Sequence, residues 1–417
     1  MHIARDGSFW RKFAAFSGPG YLVAVGYMDP GNWATGIAAG SAFGYQLLSV
    51  VVLANVMAMF LQALAAKLGI VTGLDLAQAC RARYSPPVRM MLWLLCEFAI
   101  IACELAEVLG TAIALNLLFG IPLLWGVALT ILDVLIILTL QRRGVRYLEA
   151  FIVSLMLIIA LCFAIELLMA APSLAGIARG IVPSSEIVAN PSMLYLAMGI
   201  VGATVMPHNL YLHSSLVQTR RFGDSLPDKR QTISYATLDS CCALLFALLI
   251  NGAIVVLAAA AFHYGGHRQV TGIEDAFRLL SPLLGVSLAS TIFAVALLAS
   301  GQNSTVTGTL AGQIVMEGFT AMRLAPWLRR SISRLLAILP ALVVVYAYGP
   351  GATGDLLIAS QVVLSLQLPF AVVPLVRMTG DRNMMGGFAN GPWVAGVATL
   401  LAAILICLNI KVLIDLF

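Results

Sequence analysis

Tyr27-Met28-Asp29-Pro30-Gly31-Asn32-Trp33 stands in the middle of an apolar run spanning residues 13–42. Proline has no N–H to donate and its ring clashes with the preceding turn, while glycine loosens the backbone further. A helix passing through this point is expected to break. A carboxylate at that depth of a membrane helix costs about 2.5–3.5 kcal/mol on insertion scales, so Asp29 needs a functional or structural partner. Leu196–Asn209 repeats the pattern: Gly199, Gly202 and Thr204 lead into Met206-Pro207-His208-Asn209, and again a proline interrupts an apolar helix near its centre.

The rest of the chain fits a polytopic membrane protein. Of 417 residues, 61% are hydrophobic and only 10% charged, and mean hydropathy is +0.97. A water-soluble domain carries about 25% charged residues. A soluble enzyme is therefore excluded, as is a disordered chain. The apolar runs are long and continuous, which argues against a transmembrane barrel. Eleven spans are predicted, at 13–42, 44–69, 89–118, 122–140, 147–171, 191–218, 233–262, 283–318, 331–348, 354–376 and 392–414. The basic N-terminal start precedes no small-residue cleavage site, so the first span is expected to be retained. The seven cysteines are scattered without zinc-type spacing and are read as small apolar residues.

With the N-terminus in the cytoplasm, 20 of the 24 Lys and Arg residues fall on cytoplasmic ends and loops. Arg179, Arg268, Arg278 and Lys411 lie outside. That asymmetry sets the orientation and supports the span count; an odd number of spans puts the C-terminus outside. Interrupted helices at positions one and six point to an inverted-repeat transporter with its site at the bilayer midplane. The expected units are residues 1–171, residues 172–378 and an extra helix within residues 379–417. Asp29 and Asn32 offer oxygen, unwound carbonyls such as that of Ala203 offer more, and Met206 offers a thioether. Sulfur tilts such a site away from Mg²⁺ and Ca²⁺ towards later transition metals and Cd²⁺.

Asp29-Pro30-Gly31-Asn32, Met206-Pro207-His208-Asn209, Gly301–Thr309 and Ser360-Gln361-Val362-Val363-Leu364 resemble the Nramp family of divalent-metal transporters, most of all its bacterial proton-coupled manganese branch. The resemblance implies an all-helical, LeuT-like fold of eleven spans, five plus five inverted and one added. It implies Asp29, Asn32, Met206 and the carbonyl of Ala203 as metal ligands, with Gln361 joining in some conformations. It also implies Mn²⁺, Fe²⁺ and Cd²⁺ as cargo, H⁺ as the coupled ion and a bacterial inner membrane as the location. A related branch carries Mg²⁺ and lacks the methionine; Met206 argues against it. Ser333-Arg334 differs from members with two adjacent arginines at that place, which bears on the proton routing.

Glu97, Glu104 and Glu107 share one face of span three: at 100° per residue the first two lie about 20° apart and the third about 60° further, over about 15 Å. Such acids need pairing or a wet path. The expected arrangement is a proton route from Asp29 or His208 through Glu104 and Glu107 to Arg334, with His213 a further candidate. A static ion-pair cluster joining spans three and nine is the competing expectation. A sodium-coupled amino-acid transporter of the same fold is the alternative function; Met206 beside Asp29 has no evident use there. No Walker-type loop and no His-Glu-x-x-His motif is present, so neither an ATP-driven pump nor a metalloprotease-type enzyme is expected. The expected partners are a divalent ion, protons and the bilayer, with no resident cofactor, no nucleic acid and no obligate protein partner; the expected state is a monomer.

Overall fold

The computed structural model describes residues 9–133, 145–220 and 223–416. Arg5, Arg142, Arg143 and Arg221, which entered the charge count above, lie outside these residues, as does the last part of the fourth predicted span. The described residues are helical with short connections and contain no strand. Among the described residues, eight helices are long and apolar enough to cross a membrane. Of the other predicted spans, the first is split, the eighth is a 32-residue helix, Ala289–Thr320, rich in buried Ser and Thr, and the fourth is described only through residue 133.

Span one begins later than the hydropathy suggested. Phe9–Phe16 forms a separate short helix with Phe9 and Trp10 exposed, and Gly18, at φ +142°, turns the chain before Pro19 starts the inner half-helix Pro19–Ala24. Only glycine takes that φ without strain. The run of apolar residues is continuous across this turn, so composition alone hides it. Similarly, the start of span eight is preceded by a distinct amphipathic helix, Ile273–Leu284, ended by Gly285 in the left-handed region. Span nine starts at Pro326, five residues before the predicted 331.

The inner half of span one is clamped to its neighbours. Asp239 of span seven (Leu226–Ala258) accepts from Ser17 Oγ at 2.8 Å and from the Gly20 N–H at 2.7 Å. Arg220, at the end of span six, donates to the carbonyls of Phe16 and Ser17 and pairs with Glu149 of span five (Val145–Ala170). Asp239, which the sequence left without a role, is thus the acceptor for the free N–H groups of this half-helix.

Span three (Pro86–Phe119) runs along span eight, and the first half of span six (Pro191–Val205) runs along span ten (Thr353–Gly380). In the second pair the close approach depends on Gly202, where a Cβ would overlap the carbonyl of Gln361. Without a hydrophobic drive inside lipid, such small-residue contacts are what brings membrane helices together. They also set Gln361 beside the break in span six.

Candidate cation site

At the first break, a 3₁₀ turn Val25–Met28 hands over to the outer half-helix Pro30–Phe43. Asp29 is extended, at φ −69° and ψ 164°, and caps that helix: its Oδ1 accepts the Asn32 N–H at 2.8 Å. Proline is tolerated in the first turn, where its missing N–H had no partner anyway. The carbonyls released by the unwinding are taken by side chains. Tyr27 O accepts from Asn32 Nδ2 and, at 2.7 Å, from Asn251 Nδ2; Met28 O accepts from Ser300 Oγ.

The second break is made differently. Helix Pro191–Val205 stops at Met206, whose φ of 27° and ψ of 106° are outside the usual range for a side-chain-bearing residue, and Pro207–Leu216 continues as a new helix. The helical donor for the Ala203 carbonyl would be the N–H of residue 207, which is proline and has none. Asn209 Nδ2 lies 3.6 Å from Met206 Sδ.

Span three joins the two breaks. Cys103 Sγ is 3.9 Å from Asp29 Oδ2, and the same residue packs with Ala99 and Leu364 against Met206. Gln361 closes the group from span ten, its side chain against Gly31 and its carbonyl against Gly202. Asp29, Asn32, Ala203, Met206 and Gln361 are all buried. Three buried side-chain oxygens here, Asn32 Oδ1, Asn209 Oδ1 and Gln361 Oε1, have no hydrogen-bond partner. Buried polar atoms without partners are uncommon in a native fold. Their convergence with one carboxylate, an undonated carbonyl and a thioether makes a donor set suited to a dehydrated cation. Among the described residues no group of three or more His, Cys, Asp or Glu converges as in a closed structural metal site.

The acids of span three face span nine (Pro326–Tyr348). Glu97 pairs with Arg329 at 2.8 Å, Glu104 accepts from Ser333 Oγ at 2.8 Å, and Glu107 pairs with Arg334 at 3.3 Å. Arg334 also reaches Asp133 at 3.2 Å, and Arg330 donates to the Thr305 carbonyl at 3.0 Å. Asp133, Arg329 and Arg330 were missed by sequence reasoning. The last two had been counted as cytoplasmic loop charges because span nine was started too late; they are buried inside the bundle. The available signal was Arg330 and Arg334, four residues apart and so on one helix face, with Glu104 and Glu107 three apart on one face of span three.

Neither histidine is hydrogen-bonded to an acid of span three among the described residues. His208 is buried and its Nδ1 is unpartnered; no hydrogen bond or ion pair among the described residues joins it to Glu104, Glu107 or Arg334. His213 Nδ1 contacts Gln62 Oε1 at 3.0 Å, and Gln62 Nε2 donates to the Tyr27 hydroxyl at 2.7 Å, so it leads to the first break rather than to span three.

Fold and site together define a helical membrane protein of the LeuT-like class, with unwound segments meeting at a buried polar centre. The structure superimposes on that of the Mhp1 nucleobase-cation-symport transporter with a TM-score of 0.61 at 15% identity, over 96% of this chain and 90% of the other, a likeness of fold. It matches the crystal structure of the Eremococcus coleocola manganese transporter in complex with an aromatic bis-isothiourea compound with a TM-score of 0.91 and 41% identity, covering 100% of this chain and 89% of that one. The family model described as natural resistance-associated macrophage protein-like matches residues 20–415, and the chain belongs to the Nramp family. It is 60% identical over 409 residues to the divalent metal cation transporter MntH of Bradyrhizobium diazoefficiens, covering 98% of this chain and 91% of the relative. It is 58% identical to the MntH of Xanthomonas campestris, covering 99% and 93%.

Proposed function

We propose that this chain is a monomeric, proton-coupled secondary transporter that imports Mn²⁺, and also Fe²⁺ and Cd²⁺, across a bacterial plasma membrane, with its N-terminus in the cytoplasm. The observation that carries this is that Cys103 of span three lies 3.9 Å from Asp29 at one helix break and shares a buried cluster with Met206 at the other. The cation exchanges its water for the Asp29 carboxylate, the amide oxygens of Asn32 and Gln361, the Ala203 carbonyl and the Met206 sulfur. A single formal negative charge with neutral donors holds a dication long enough to select it and weakly enough to release it. Sulfur disfavours Ca²⁺ and Mg²⁺, whose preferred ligands are oxygen.

Access alternates when the inner half of span one leaves its clamp of Asp239 and Arg220. The charge of the bound metal lowers the proton affinity of the acids around it. The released proton passes to the chain of Glu107, Glu104 and Glu97, which Arg334, Asp133 and Arg329 hold in line. The inside-negative potential drives cations inward by about 2.3 kcal/mol per charge per 100 mV.

Uptake into proteoliposomes with Mn²⁺, Cd²⁺, Ca²⁺ and Mg²⁺ in competition tests the metal site. The wild type prefers Mn²⁺ and Cd²⁺ over Ca²⁺, and Met206→Ala loses Cd²⁺ transport most. Equal handling of Ca²⁺ and Mn²⁺ by both proteins would remove Met206 from the site. Glu107→Gln and Arg334→Ala test the proton path: metal binding survives and metal-driven acidification weakens. Unchanged proton flux in both variants would leave the acid–arginine chain as a static tie between spans three and nine.

A further inference from the structure

The two oxygens of Asp29 are held unequally. Oδ1 takes a backbone N–H at 2.8 Å, whereas Oδ2 faces the Cys103 thiol at 3.9 Å. A thiol is a weak donor and a weak acceptor, far weaker than a hydroxyl. Its sulfur is polarisable, and here it packs in one buried cluster with Met206. One sulfur therefore borders the carboxylate while sharing a buried cluster with the sulfur-bearing residue at the other helix break. The buried side-chain oxygens of Asn32 and Gln361 at the same break have no hydrogen-bond partner, and the Gln361 side chain lies against Gly31, two residues from Asp29, so the cysteine stands beside unsatisfied oxygen atoms and is not an isolated apolar residue.

We infer that Cys103 is a specificity-determining residue of the cation site: its sulfur, beside that of Met206, favours a soft dication such as Cd²⁺ over Mn²⁺, and its weak hydrogen bond leaves Asp29 Oδ2 ready to bind. The thiol acts in its neutral form, as the methionine thioether does. This rests on the transport reading above and adds a residue to it. Replacing sulfur by oxygen hardens the donor set and ties Oδ2 more firmly; replacing it by a methyl group removes the sulfur without tying the carboxylate.

The test measures Cd²⁺ competition against Mn²⁺ uptake in proteoliposomes of the full chain for wild type, Cys103→Ser and Cys103→Ala. The Cd²⁺-to-Mn²⁺ preference falls about three- to tenfold in both variants, the size of one weak polar contact. The KM for Mn²⁺ rises more in Cys103→Ser than in Cys103→Ala. Calorimetric titration of the solubilised, monodisperse chains with each ion reads the same ratio without turnover. Parallel losses for both ions, or an unchanged ratio in both variants, would assign Cys103 to packing and overturn the inference while leaving the transport reading intact. A wild type that binds and carries neither ion would overturn the transport reading itself.

Discussion

The two helix breaks look alike in sequence and are built in opposite ways. At the first, the freed carbonyls of Tyr27 and Met28 are saturated by Asn32, Asn251 and Ser300, and Asp29 caps the helix that follows. At the second, in span six, backbone N–H groups of Met206 and Asn209 meet the carbonyls of Gly202 and Met206. Met206 is held at a positive φ, and the Ala203 carbonyl is left without its helical donor by Pro207. The first break is a rebuilt, rigid piece of backbone that presents a side-chain carboxylate. The second presents one backbone carbonyl without its helical donor, and a sulfur. On the transport reading proposed above, a cation between them would meet one wall satisfied by side-chain donors and one with a carbonyl lacking its helical hydrogen bond.

If that contrast is correct, the prolines are not equivalent. Pro207→Ala restores an N–H to the sixth break, closes the Ala203 carbonyl into a helix and weakens Mn²⁺ binding about tenfold, whereas Pro30→Ala, with its break held by side chains, changes it by about threefold or less. Calorimetric titration of the two variants side by side checks this; equal effects would erase the distinction. Asn251→Ala attacks the rigid wall. Removing one donor from the buried Tyr27 carbonyl lowers stability by about 1–3 kcal/mol, read as a drop in the melting temperature of the solubilised chain, with a smaller effect on metal affinity than Pro207→Ala has. A melting temperature equal to wild type would show that the first break does not depend on its side-chain donors.

The smallest effect lies away from both breaks, at the connection between spans two and three. Asp75 caps the short helix Leu76–Arg83 in a reciprocal box with Gln78, and burial pushes its carboxyl up to about 6. A folded value above the unfolded one means that the native state holds the proton more tightly. Stability from this group is thus full below the ordinary carboxylate range and is lost as pH rises towards about 6. Thermal unfolding between pH 4 and 6 should show this downward slope in the wild type and a shallower one in Asp75→Asn, which keeps a capping oxygen. Identical slopes would place the pH response elsewhere.

Much of the architecture was legible in the sequence because a bilayer imposes simple rules. Apolar runs of span length, prolines inside two of them and an uneven distribution of Lys and Arg needed no tertiary information. Boundaries were less legible where apolar character continues across a turn, as at Gly18, or where a helix starts in charged residues, as at Pro326. That second error concealed Arg329 and Arg330. A count of basic residues does not distinguish a loop arginine from one buried against Glu97 or the Thr305 carbonyl.

Sequence alone determined that the chain crosses the bilayer many times, that spans one and six break at Pro30 and Pro207, and that Asp29 and Met206 sit at those breaks, since each follows from local backbone chemistry and the absence of water. Only the tertiary structure decided which groups saturate the first break, that Asp133, Arg329 and Arg330 join the acids of span three, that His213 turns towards Gln62, and that Cys103 reaches Asp29 and shares a buried cluster with Met206. Those contacts join residues up to 272 positions apart, as between Met28 and Ser300. Their geometry depends on helix rotation and on small-residue packing between spans, which no local pattern encodes.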